Sequence, residues 1–199
     1  LFRYAFMKNA LLALLLLTPL LALLGTMAVN QRMAFFSDAL GHSALAGLGL
    51  GVLLGLSNVT LILVLFGILW AVLITRINRT GSASSDTTIS VFSSAGIALG
   101  LLILSGSGQY NKYSSILVGD VLAIAPADIL WLAIALAVGV ILWAALYNQL
   151  LLTAVNPQLA QSRGIAVKWV EYAFVILVAV AVMLSIRWVG VLLINALLI

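Results

Sequence analysis

Six long apolar runs separated by short polar breaks constrain this chain more than any motif does. They are Ala10 to Val29, Met33 to Leu56, Val59 to Ile74, Ile89 to Leu104, Ala127 to Leu152 and Trp169 to Leu184. A hydrocarbon layer ~30 Å thick takes about 20 helical residues to cross, and it holds no water to satisfy a bare backbone. Runs of this kind therefore predict spanning helices, and the alternation and turn spacing of a membrane barrel are missing. With 65% hydrophobic residues, 7% charged residues and a mean hydropathy of +1.29, no water-soluble domain of this size is expected. The class read from the sequence is all-α: a polytopic transmembrane helix bundle of about six full spans, in a single domain over residues 1–199. A last apolar segment, Val189 to Ile199, is too short to cross and reads as part of a seventh helix after a turn at Ser185 to Trp188. The chain is thus expected to be a fragment of a longer protein. Ala10 to Val29 exceeds a signal-peptide core and lacks a clear cleavage site, so it reads as a retained helix.

The polar breaks divide by character. Asn30, Gln31 and Arg32 form a short turn, and Ser57 and Asn58 a tighter one. Thr75 to Thr88 is the most hydrophilic stretch and is expected to be a loop. Gly106 to Ser115 carries Tyr110 and Tyr113 at headgroup level. Ile116 to Asp128, with Gly119, Asp120 and Pro126, suggests a short interfacial or re-entrant element. Asn156 to Lys168 is a second hydrophilic insertion, whose centre predicts a short helix ending at Gly164. The net charge of +4 comes from basic residues scattered between spans. Scattered charge of that kind forms no nucleic-acid patch and is better read as a topology signal. There is no cysteine, which excludes disulfides, thiolate metal sites and lipidated thiols.

Asp38 and His42, the latter the single histidine, enter an otherwise apolar run. Four residues apart on a helix, they share one face and can hold the same small cation. An intramembrane acid costs ~2.5 to 3.5 kcal/mol on insertion scales and is kept mostly where it faces a cavity or a pathway. Beside the pair, Ser43, Gly47, Gly51 and Gly55 recur every fourth position, a stripe on which another helix can pack closely. Ser93, Gly96 and Gly100 give a second small-residue face. Asp120 and Asp128 fall near a water interface where hydration is cheap, and Glu171 lies near a helix start. Adjacent His42 and Ser43 point about 100° apart on a helix, which opposes a hydrolase dyad. No GxxxxGK[ST] loop is present, so ATP can drive this chain only through another polypeptide. A secondary transporter or channel using the same pair is the alternative, and a non-transporting scaffold is a third class.

Several stretches together resemble the permeases of bacterial ATP-binding-cassette importers for zinc, manganese or iron, the ABC-3 family. Phe6 to Ala13 and Leu23 to Gly47 are similar to that family's Arg-Met pair followed by Gly-Asp-x-x-x-His. Arg32, Met33, Asp38 and His42 match, while Ser37 replaces the usual Gly. Val118 to Leu130 resembles a Phe-Gly-Asp-x-Leu-x-Val stretch, matching at Gly119 and Asp120. Asn156 to Gly164 resembles an Asp-Pro-Glu-x-Ala-x-x-x-Gly loop, matching at Pro157, Ala160 and Gly164. Trp188 to Ile199 resembles a Val-Gly-x-Leu-Leu segment. The likeness runs along essentially the whole chain and implies the fold of vitamin B12-type permeases in a bacterial cell membrane. It also implies a homodimer worked by separate ATPase subunits and fed by an extracytoplasmic binding protein. It implies further that no cofactor is bound permanently and that the metal ion is cargo. Asp38 and His42 would touch it, and Asn156, Pro157, Gln158, Ala160 and Gly164 would form the ATPase-coupling loop. The loops after the first, third and fifth long helices would face the cytoplasm.

Overall fold

A computed structural model describes residues 4–56, 58–81, 83–113, 119, 124, 126–191, 194 and 198. Its described residues form α1 (Ala5–Asn30), α2 (Phe36–Leu53), α3 (Val59–Asn78), α4 (Ser85–Gly106), α5 (Tyr110–Tyr113), α6 (Pro126–Val155), α7 (Pro157–Ser162) and α8 (Val167–Val189). Five of them, α1, α3, α4, α6 and α8, are long and apolar enough to cross a membrane. Together they make the chain a multi-pass membrane protein. α2 has 18 residues, so at 1.5 Å per residue it spans about 27 Å, near the full hydrocarbon thickness. Its Asp, His, Ser and Gly residues dilute its hydropathy.

The dilution is matched by enclosure. α2 packs most extensively on α4, then on α3 and α8, while α3 lies along α8 and α1 along α6. Leu17, Leu21 and Leu24 of α1, Leu40 and Leu48 of α2, Leu63 and Ile74 of α3, and Phe174 and Val178 of α8 are buried in one core. α6 is the opposite case: only 11% of its apolar window is buried, which suits a helix turned toward lipid.

Two polar contacts bring three connections to one end of the bundle. The Gln31 amide, just past α1, donates to the Leu150 carbonyl (2.9 Å) and to Thr153 Oγ1 (3.3 Å) near the end of α6. Arg79, which caps α3, is ion-paired with Glu171 in the second turn of α8. The turns after α1 and α3 and the α6–α7–α8 connection therefore share that end. Glu171 acts as a partner for Arg79 there, a role its position near a helix start did not suggest.

Helix ends depart from the hydropathy reading, toward longer helices except in α2, which runs only from Phe36 to Leu53 where Met33 to Leu56 was expected. α1 begins at Ala5 instead of Ala10, α3 continues to Asn78, and α4 starts at Ser85, capped by Ser84 Oγ accepting from the Thr87 amide. Both ends of the expected loop Thr75 to Thr88, residues 75–78 and 85–88, are thus helical. Polar residues at the ends of a spanning helix stay helical where they leave the hydrocarbon, and an apolar window does not register them. The turn expected at Ser185 to Trp188 is likewise helical, and α8 ends instead at Gly190 with φ +80°. Most of Val189 to Ile199, most of Ile116 to Asp128 including Asp120, and Ser57 of the Ser57-Asn58 turn lie outside the described residues.

Candidate functional site

From Phe36 to Gly49, every residue of α2 is buried except Asp38 and His42. Their side chains are 37% and 26% exposed, and His42 Nε2 lies 3.2 Å from Asp38 Oδ1. The spacing of one helical turn brings the two heads together. A cation bound at ~2.1 Å to each ligand holds them about 3.0 Å apart at octahedral and about 3.4 Å apart at tetrahedral angles. The observed separation falls between those values, so a small cation could replace the direct contact with little movement of either side chain.

A third group reaches the pair from a neighbouring helix. Ser93 of α4 donates its hydroxyl to Asp38 Oδ2 at 3.4 Å. Ser93 stood in the sequence only as part of a small-residue face. The signal that could have singled it out is its place at the head of the Ser93, Gly96, Gly100 series, where a hydroxyl adds chemistry to a packing seam. Among the described residues no group of three or more His, Cys, Asp or Glu side chains could hold a metal ion, so among them Asp38 and His42 stand as a pair.

The seam beneath the pair fixes its position. A Cβ on Gly96 would lie 2.9 Å from Ser43 Cα, and one on Gly100 would lie 2.6 Å from the Leu45 carbonyl carbon. α4 therefore runs directly against the α2 backbone, as small residues allow in a membrane. The α2 stripe serves two neighbours. Ser43 meets α4 at Gly96, whereas Gly47 and Gly51 face Phe66 and Ile62 of α3. Gly55 corrects the expectation for the fourth member. α2 ends at Leu53, and Gly55 adopts φ +65° in the turn with nothing within 4 Å of a built Cβ.

Ser37, next to the acid, is fully buried and its hydroxyl has no hydrogen-bond partner among the described residues. A buried unsatisfied hydroxyl costs about 1 to 3 kcal/mol. Ser37→Ala should therefore raise the thermal midpoint of the purified protein, and a lower midpoint would show that the hydroxyl is needed.

The second candidate element is α7. Asn156 caps it, its Oδ1 accepting from the Gln158 and Leu159 amides at 3.0 Å each, and Pro157 takes the first helical position. Asn in place of Asp keeps that cap. Gly164 closes the element with φ +77°, where Gly164 N donates to Gln161 O and Ile165 N to Ala160 O. Gln158, Leu159 and Gln161 are exposed, while Ala160 is fully buried. Ala160 thus anchors α7 to the bundle, and the outward face belongs to its neighbours.

The polar pair, the seam and the capped surface helix occur on a chain that matches a known family model, described as the ABC 3 transport family, over residues 3–199. The chain belongs to the ABC 3 transport family. Among relatives in this family is the manganese import system permease protein ScaB of Streptococcus gordonii, 31% identical over 98% of this chain and 70% of that protein. Another is the high-affinity zinc uptake system membrane protein ZnuB of Haemophilus influenzae, 33% identical over 96% of this chain and 73% of that protein. The structure of PsaBC from Streptococcus pneumoniae in complex with Fab superposes with a TM-score of 0.81 at 28% identity. That match covers 99% of this chain and 71% of the other. The chain thus has the permease fold of its family.

Proposed function

We propose that this chain is the membrane-spanning permease subunit of an ATP-binding-cassette importer that moves a divalent transition-metal ion, zinc, manganese or iron, into the cytoplasm. Asp38 and His42 touch the ion in passage. The observation that carries this reading is that the two ionisable residues of α2 are its only partly exposed positions between Phe36 and Gly49, all others being buried. A polar pair kept for packing alone would be enclosed by its neighbours, whereas a pair on a pathway must stay open to its cargo. Two ligands hold a transition ion weakly. A two-fold pair of chains brings two Asp and two His, enough for a four-ligand site that can still release its ion. ATP hydrolysis belongs to a separate subunit, and an extracytoplasmic binding protein delivers the ion. The test is uptake of manganese, zinc and iron into proteoliposomes carrying the permease with its partner subunits. Uptake that proceeds without the ATPase would turn the reading to a secondary transporter or channel.

The end of the bundle that holds Gln31, Arg79 and α7 faces the cytoplasm in this reading. Ala83 is exposed in the connection between α3 and α4 and, unlike Ser84, does not cap a helix. Ala83→Cys should resist a membrane-impermeant thiol reagent in intact cells and react once the membrane is opened. Labelling in intact cells would reverse the orientation.

α7 is the element that docks on the ATPase. Exposed Leu159 supplies its apolar contact, and a charge there would be desolvated against the partner. Leu159→Asp should weaken ATPase binding about tenfold or more while leaving the fold intact. Undiminished binding would make α7 a solvated connection only.

A further inference from the structure

Arg32 is the one non-glycine residue with positive φ among the described residues, at +59°. It stands just past α1, where its amide donates to Val29 O and the Met33 amide to Ala28 O, both at 2.9 Å. This is the Schellman ending, in which the left-handed position ordinarily holds glycine, and Met33, at the position that ordinarily makes its apolar contact, is buried. A side chain kept where the backbone favours none points to a use for that side chain. The Arg32 side chain is exposed and makes no ion pair among the described residues.

Arg32 lines a polar cavity of about 300 Å³ together with Asn30, Gln31, Thr153 and Pro157. The bonds from Gln31 to Leu150 and Thr153 fasten one wall to the other, at the end of α6 from which α7 follows. Pro157 is both part of that wall and the first residue of α7. A group reaching Arg32 therefore lies against α7. The surrounding end is basic: Arg76, Arg163 and Lys168 stand there, Arg79 is paired with Glu171, and Asp86 is the further acid on the same connections.

We propose that Arg32 receives a carboxylate side chain of the ATPase subunit, which makes the turn between α1 and α2 a second docking point beside α7. The inference rests on the reading of α7 as the ATPase-coupling element. Continuity with α7 selects the ATPase as the source of the carboxylate, and the planar guanidinium matches a carboxylate through two parallel hydrogen bonds. An anionic phospholipid headgroup offers similar chemistry, and the experiment separates the two.

The permease is assembled in nanodiscs of phosphatidylcholine alone and of phosphatidylcholine with phosphatidylglycerol, and the affinity of its purified ATPase subunit is measured. Arg32→Gly should weaken binding about tenfold in both lipids, as expected for a lost charge-assisted contact. The thermal midpoint of the permease should stay the same or rise, since glycine suits the backbone. Arg32→Lys should retain part of the affinity. Unchanged affinity in Arg32→Gly, with Leu159→Asp weakened, would overturn this inference alone. Undiminished affinity in Leu159→Asp would instead remove the reading of α7. A loss seen only with phosphatidylglycerol present would assign Arg32 to lipid and overturn the proposal, as would a midpoint drop that accounts for the lost binding.

Discussion

Asp38→Asn should lower ATP-dependent metal uptake by about a hundredfold, and His42→Ala by at least about tenfold. Removing a group that merely orients a ligand already costs ~10 to 100-fold in metal affinity, so removing a ligand should reach the top of that range or pass it. Asparagine keeps the shape of Asp38 and an oxygen that can accept from Ser93, so the change isolates the negative charge. Because both side chains sit on the uncovered face of α2, neither change opens a cavity in the core. Assembly with the ATPase and its basal hydrolysis should therefore persist. Normal uptake in the Asp38→Asn, His42→Ala double variant would return both residues to a structural role.

Gly100→Leu should have the other large effect, on folding itself. Its Cβ would fall 2.5 Å from Leu45 Cβ and 2.7 Å from the Ala46 amide nitrogen. A rotamer change cannot relieve contact with backbone, so α4 would have to move away from α2 along the most extensive helix pair in the molecule. Overpacking ordinarily costs about 1 to 3 kcal/mol, and this site should lie at or above the top of that range. The expected result is a loss of monodisperse protein in size-exclusion chromatography and a thermal midpoint too low to measure at growth temperature. A wild-type elution profile and midpoint would mean that the α2–α4 seam yields more easily than its backbone contacts suggest.

The number and order of long helices were legible because apolar length is a one-dimensional property of the sequence. Asp38 and His42 were legible for the converse reason, since two ionisable residues stand out against an apolar run. Ser93 was not, because its meaning depends on α4 lying against α2, and two helices far apart in sequence do not announce their register. Gly55 misled in the same way: its spacing continued the stripe, but the helix stopped first and left it to shape a turn. The left-handed backbone at Arg32 was also hidden. An arginine in a polar turn carries no sign of φ, and the Schellman geometry emerges only from the hydrogen bonds that close α1. Ala160 could be placed in α7 from the sequence, but which side of so short a helix turns inward depends on the bundle beneath it.

The enclosure of α2 also bears on how the chain enters the bilayer during synthesis. α2 carries Asp38 and His42, the ligands proposed for the cargo, and is the long helix that falls outside the five self-evident spans. A segment diluted by Asp38, His42 and many small residues partitions weakly into lipid when it emerges alone. α3 follows after a short turn and is strongly apolar, so α2 and α3 are suited to partition as one antiparallel hairpin, with Gly47 and Gly51 already facing α3. α4 then arrives to cover Ser43 and bring Ser93 to Asp38. The residues that would serve a passing ion under the proposed function are the same ones that make the insertion of α2 depend on the two helices synthesised after it.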